Sequence, residues 1–502
     1  MKSLFKSYRP VIAVCSLCLL ISGCGGQDSA ALSQDYGQTT RDDTATENIS
    51  EETGASEPLE YEPSGRQYGG ADFTVASMCR DDSSLWIAYG YREMYSEEEN
   101  GDPINDALFI RNRQVMDELD INIKHFDLSS DAGKDFLKTA MSGDDVIDIG
   151  IINTNNIPTV MNSDTLIDLN TLDGVDFSHS WWDHNETESL TILKRLYAAT
   201  GDITLGINLA PITIFFNKQL HENLGLEDPY ALVEDMKWTL AKSMEMSYAA
   251  AADLNGDGKA DVDDQYGMMF ENATLYSMLY AGGVRLTTND SEGVPQISVN
   301  IDLASSIFDL FSPFMADKTT NLRDGQFPAN NCFTDIMLPK FKDNHALFFN
   351  NQLLVALNLR SMETDFGILP PPKFSEESSS YHVPINLYWA MFAVVPKTNT
   401  RTELCADVLE AMGYYGRQYL TRAYIETTIM DKALRDEDSL KMLDIIFANR
   451  VYDSATLYDW GSMRSVISGL VGKSAGAFAT SFAKNESKIQ KGIDKTIESL
   501  GG

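Results

Sequence analysis

Cysteine is scarce in this 502-residue chain: three of its six, Cys15, Cys18 and Cys24, stand in the first 24 residues, and Cys79, Cys332 and Cys405 lie far apart. An odd number at wide spacing excludes a disulfide framework or a cysteine-rich zinc site. Histidine is equally sparse, and the six form no close metal-ligating set. His179 and His184 stand five apart in a polar stretch and read as solvated surface. Basic side chains are outnumbered, 39 against 74 acidic, for a net charge of −35. A nucleic acid would be repelled by such a chain, which carries no basic stripe. No apolar run approaches the ~20 residues that cross a bilayer as a helix. No Gly-x-Ser-x-Gly elbow, His-Glu-x-x-His or Walker loop is read along the chain. No pair of carboxylates stands out in an apolar context at glycosidase spacing. Nothing here selects an enzyme.

What is present begins with Lys2, Lys6 and Arg9, then an apolar stretch over residues 10–21 interrupted by Ser16, then Ile21-Ser22-Gly23-Cys24. The stretch is too short to span a membrane and reads as a signal peptide over residues 1–23. Residues 25–68 hold ten acidic residues against Arg41 and Arg66, with few large apolar side chains. Such a composition buries too little apolar surface to offset its ordering entropy, so residues 24–70 are expected to form a solvated acidic tether. Some 430 residues follow, enough for two or three lobes.

Within them the periodicity alternates between strand and helix. Residues 71–77 and 121–126 predict strands, 105–119 and 135–141 helices, and 145–152 a strand apolar enough to be buried on both faces. Further strands are predicted at 211–216, 266–270, 346–349, 366–369 and 390–395. Thr239 reads as the N-cap of a helix over 240–252, and residues 403–415 form another. Strands interleaved with helices predict an α/β architecture.

Several motifs then occur in order: Asn217-Lys218-Gln219-Leu220, Gly225-Leu226-Glu227-Asp228-Pro229-Tyr230, Lys237-Trp238-Thr239, Asp365-Phe366-Gly367-Ile368-Leu369-Pro370 and Ala393-Val394-Val395-Pro396-Lys397. Over residues 71–500 the chain resembles the family 1 extracellular solute-binding proteins, the maltose-binding-like receptors of ABC importers. The resemblance implies a two-lobed periplasmic-binding-protein-like fold with discontinuous lobes joined by hinge crossings. Placed on this chain, lobe 1 spans 71–208 and 371–428, and lobe 2 spans 209–370 and 429–502. The crossings fall at Leu209-Ala210-Pro211, at Ile368-Leu369-Pro370 and near Ile429. The first segment is similar to a bacterial lipobox, which implies a lipid on Cys24 and anchoring at the extracytoplasmic face of the cell membrane. The implied ligand is a mono- or oligosaccharide and the implied partners are the permease subunits of an importer, with the receptor itself a monomer. A same-fold receptor for a peptide, a polyamine or a metal is the alternative, and a secreted glycan-acting enzyme a more distant one.

In open α/β sheets ligands sit at the carboxyl ends of strands. That places Asn153, Thr154, Asn155 and Asn156 after one strand, Glu271 and Asn272 after another, and Asn350 and Asn351 after a third. Sugar rings also need flat apolar walls. Trp460 corresponds to a ligand-stacking tryptophan of the resembled family, and Trp182, Tyr388 and Trp389 are further aromatic candidates. Arg464 follows Trp460 in the same motif. No organic cofactor is implied. The sharpest local signal is Asp253-x-Asn255-x-Asp257-Gly258-Lys259-x-Asp261-x-x-Asp264. Oxygen donors at positions 1, 3, 5, 7 (the Lys259 carbonyl), 9 and 12 match a calcium loop, except that position 12 is the shorter Asp rather than Glu. It would act as a structural clip.

Overall fold

The computed structural model describes residues 61–78, 94–129, 132–153, 157–386, 390–426 and 437–501. Two sheets organise them. The first is built from β1 (Ala71–Met78), β2 (Ile121–Leu128), β3 (Ile149–Asn153) and, from far along the chain, β9 (Met391–Val394), in the order β9-β3-β1-β2. β1 runs parallel to β2 and β3, and β9 is antiparallel to β3 with Met391 opposite Asn153. The second contains β4 (Ile212–Asn217), β5 (Tyr266–Phe270), β6 (Asn321–Arg323), β7 (Ala346–Gln352) and β8 (Phe366–Leu369), in the order β8-β4-β7-β5-β6. β5 is parallel to both β6 and β7, whereas β4 is antiparallel to β7 and β8.

Helices cover both sheets. α1 (Pro103–Leu119) starts where the Asp102 side chain accepts the N–H groups of Ile104 and Asn105 and ends at Asp120, whose φ is +49°. α2 (Ala132–Ser142) and the short α3 (Ile157–Met161) flank β3, and α4 (His184–Leu190) follows later. The second sheet carries α5 (Leu240–Ala250), capped as expected by Thr239, then α6 (Thr274–Ala281) and α7 (Ile301–Ala316). α8 (Thr402–Tyr415) returns to the first sheet, and α9 (Glu437–Ala448), α10 (Ser454–Tyr458) and α11 (Ala477–Ser499) close the chain. Side chains alternate across each strand, so each sheet has two packed faces. On β4, Ile214 and Phe216 face one apolar cluster with α6 and α7 while Phe215 faces another. On β1, Phe73 and Val75 pack with α8 residues Leu404 and Val408.

One expectation needs correction. The tether does not run to residue 70: residues 61–70 lie packed on the first lobe, with Tyr61 and Tyr68 against its apolar cluster. Composition hides this, because two tyrosines and one arginine in an acidic stretch are enough to dock it. The crossing near Ile429 lies outside the described residues.

Candidate functional site

The second sheet gathers its polar candidates at one edge. β5, β6 and β7 are parallel, so their carboxyl ends emerge together, and Phe270 pairs with Asn350 in register. Glu271 and Asn272 follow directly, and the Asp324 N–H donates to the Phe270 carbonyl at 3.2 Å. Burial pushes the Glu271 carboxyl above its ordinary value, the nearby Asp324 charge adds to that, and the Asn351 amide opposes it. Neither carboxylate forms an ion pair among the described residues. Asn350 is fixed: its Oδ1 accepts from Thr274 Oγ1 at 2.9 Å and its Nδ2 donates to the Thr213 carbonyl at 3.2 Å. Asn351 and Gln352 are buried yet leave Asn351 Nδ2 and Gln352 Nε2 without a well-formed hydrogen bond. An unsatisfied buried donor costs about 1–3 kcal/mol. The edge thus gathers Glu271, Asp324, Asn351 and Gln352 at one end of the second sheet.

The first sheet supplies Asn153, buried at the carboxyl end of β3. Thr154, Asn155 and Asn156, and likewise Tyr388 and Trp389, lie outside the described residues, as does Cys24. Beyond β3, α3 meets the other half of the chain. The Tyr458 hydroxyl reaches Met161 Sδ at 3.6 Å, and Ser499 Oγ donates to Asn162 Oδ1 at 3.0 Å. Tyr458 packs against apolar clusters of both halves. Burial, then the neighbouring Tyr197, raises its hydroxyl pKa, so it stays a neutral donor. Sequence reasoning passed over Tyr458 in favour of the tryptophan two residues on.

Two aromatic candidates are placed elsewhere. Trp460 is only 4% exposed. Its ring stacks on Tyr458 at 5.1 Å and its Nε1 donates to Thr496 Oγ1 at 3.0 Å. It fills the space that Gly492 leaves on α11, where a Cβ would come within 2.7 Å of the indole. It is a core residue that backs Tyr458 rather than an open wall. Trp182 is likewise buried, because its indole N–H needs an acceptor and Glu410 provides one at 2.9 Å. Arg464 is half-buried, with its Nε 3.6 Å from the Asp459 carboxylate.

Two features escaped the sequence. Arg450 donates to Asp183 at 2.9 Å and to Asn208 at 2.5 Å, and Tyr452 donates to the same Asp183 at 2.8 Å. This buried network ties the chain ahead of Leu209 to the segment after α9, beside a cavity of about 840 Å³ lined by Trp182, Asp202 and Arg417 among others. Widely separated polar residues give no periodic signal. The second is a correction: Gly472-Lys473-Ser474-Ala475-Gly476 does have the Gly-x-Ser-x-Gly spacing that the chain was read as lacking. It lies in an exposed turn ahead of α11 rather than between a strand and a helix, so it lacks that motif's geometry.

The acidic loop folds as a series of side-chain-capped turns. Asp253 accepts the N–H groups of Gly256 and Gly258 at 2.7 and 2.8 Å, Asn255 that of Asp257, and Asp257 that of Lys259. Asp264 closes it by accepting from Leu254 and Asp261. Gly256 and Gly258 take φ of +76° and +74°, the left-handed values such a turn demands. The hydrogen bonds from Gly258 and Gly256 hold Asp253 below the usual carboxylate range. Among the described residues no group of three or more His, Cys, Asp or Glu is arranged to hold a metal.

No family model matches the chain, and no curated protein matches it. Solved structures do. A sugar transporter from Rhizobium etli in an open conformation is 13% identical, with a TM-score of 0.54 over 86% of this chain and 99% of that one. The maltose/maltodextrin-binding domain MalE from Bdellovibrio bacteriovorus bound to maltotriose is 13% identical, with a TM-score of 0.52 over 85% and 100%. UgpB from Mycobacterium tuberculosis in complex with glycerophosphocholine is 15% identical, with a TM-score of 0.51 over 86% and 100%. The architecture is thus the two-lobed, MalE-like binding-protein fold with discontinuous lobes, and the neighbours that define it are binding proteins rather than enzymes.

Proposed function

We propose that this chain is the lipid-anchored, extracytoplasmic receptor of an ABC importer, and that it takes a mono- or oligosaccharide between its lobes. The observation that carries the reading is the edge formed by β5, β6 and β7 on this fold. There Glu271 and Asp324 offer acceptors, the Asn351 amide lies against Glu271, and Gln352 Nε2 has no hydrogen-bond partner in the structure. Sugar hydroxyls both donate and accept, so they match such a mixed set. The same fold holds glycerophosphocholine in UgpB. Two carboxylates at this edge that form no ion pair among the described residues disfavour the phosphate of such a ligand here and favour a neutral polyol. Anchoring through Cys24, docking on permease subunits and a monomeric state complete the reading. A thermal-shift screen of mono- and oligosaccharides against peptides, polyamines and phosphodiesters tests it. A carbohydrate should give the largest rise in melting temperature, and a response confined to the other classes would reject the sugar.

The acidic loop is assigned to structural calcium. Asp253, Asn255, Asp257 and Asp261 bring side-chain oxygens, Lys259 its carbonyl and Asp264 the closing carboxylate, a donor set suited to a hard divalent cation. In the described structure these carboxylates cap backbone N–H groups rather than converge on one centre, so a bound calcium would have to draw them together. Excess chelator should lower the melting temperature and added calcium restore it. An unchanged melting curve would remove the assignment.

A further inference from the structure

The residues just ahead of β1 are held by an unusually complete set of contacts. The Tyr61 ring stacks on Tyr414 at 4.3 Å with 15° between planes and meets Trp181 edge-on at 5.9 Å. Its hydroxyl donates to Glu118 at 2.5 Å, and Tyr415 donates to the other oxygen of that carboxylate at 2.8 Å. Three side chains then converge on Asp407 of α8. Ser64 donates at 2.9 Å, Tyr68 at 2.7 Å, and the Arg66 guanidinium takes both oxygens at 2.8 and 2.5 Å. The main chain is secured as well, with the Tyr68 N–H on the Leu119 carbonyl at 2.9 Å and the Gly70 N–H on Asp120 at 2.8 Å.

Asp407 is only 6% exposed. With the segment in place its carboxylate takes three donors from that segment, Ser64, Arg66 and Tyr68, and the Arg66 guanidinium pairs its charge. The segment is therefore part of the first lobe and bridges α1 to α8. Each residue the segment meets here (Glu118, Leu119, Asp120, Trp181, Asp407, Tyr414, Tyr415) belongs to that lobe; none belongs to the second sheet or its helices.

We infer that residues 61–70 are a strap that fastens the membrane tether to the first lobe alone. This inference rests on the anchored, hinged receptor proposed above. An anchored molecule then holds its first lobe by the strap and leaves the second free to swing when the lobes close. The strap also sets where the tether ends: at Tyr61, not at the start of β1.

Trypsin tests this on the full chain, because Arg41 and Arg66 are the only basic residues between positions 25 and 70. Both would be free to enter the protease in a solvated tether running to residue 70, whereas the strap holds the backbone at Arg66 in place, although the side chain stays 42% exposed. Digestion of the membrane fraction should release a large fragment beginning at Asp42, with Arg66 cut at least about tenfold more slowly than Arg41. In Asp407→Asn and in Tyr61→Ala the fragment should begin at Gln67. Equal cutting at both arginines in the unmodified chain, or continued protection of Arg66 in both variants, would overturn the strap. Tyr61→Ala keeps the test available if Asp407→Asn fails to fold. Hydrogen exchange on that variant should speed up in α1 and α8 and stay unchanged in α6 and α7. An equal rise in α6 and α7 would overturn attachment to the first lobe alone. A chain absent from the membrane fraction would refute the anchor, while the fragment end would still report on the strap.

Discussion

Tyr458 and Trp460 differ by two positions and by their whole role. Both belong to one aromatic stack, but Trp460 is enclosed by α11 and Tyr458 reaches across to Met161. Trp460→Ala should act on stability, costing about 3–5 kcal/mol as a buried aromatic deletion does. Tyr458→Ala should cost less stability than Trp460→Ala, because Tyr458 is only half-buried, and should weaken sugar binding by about 1–3 kcal/mol. Melting curves and calorimetry on the two variants separate these effects. A stable Trp460→Ala protein that has lost its affinity would restore the tryptophan as the wall. The sequence could show that an aromatic pair stands here, and not that the indole is the more enclosed of the two rings. That difference is made by Gly492, about thirty residues away, which opens the space the indole fills. The amides at the ends of β3, β5 and β7 were legible, because a buried strand announces where its polar end must fall. Arg450, Asp183 and Asn208 were not, since a network assembled from distant residues leaves no local pattern.

At the scale of elements the strands were the most legible part. Those at 266–270 and 366–369 match β5 and β8 to the residue, and the long apolar run near 390 shortens to Met391–Val394. β6 was missed: with three residues it is too short to show alternation, and only pairing with β5 makes it a strand. The strap was missed for the opposite reason, because its acidic surroundings masked four anchoring side chains. Its chemistry gives a pH dependence. Burial alone would raise the Asp407 carboxyl, but the hydrogen bonds from Arg66, Tyr68 and Ser64 more than offset this and hold it below the usual aspartate value. A depressed carboxyl stabilises the fold above its unfolded pKa, about 3.9, and that contribution is lost as the pH falls through the lower folded value. Near-ultraviolet circular dichroism of the Tyr61, Trp181 and Tyr414 cluster should therefore be constant from neutral pH to about 5 and fade below about 4. The Asp407→Asn protein should lack that transition. A signal that fades equally in both would show that Asp407 is not the group responsible.

For the molecule as a whole, two sheets are linked by segments that leave the first after β3 and return to it as β9. Such crossings let two packed bodies rotate through a few dihedral changes while their cores stay intact. A solute that touches both bodies only when they are closed shifts the population toward closure, by as much as its affinity for the two states differs. On the proposed reading, the second-lobe edge with Glu271 and Asn351 would supply one half of that contact and Asn153 the other. Small-angle scattering of the full-length protein, with and without the carbohydrate that most raises its melting temperature, tests this account most directly. At saturation the radius of gyration should fall as the lobes close on the sugar. An unchanged radius at full occupancy would contradict a receptor that works by closing its two lobes.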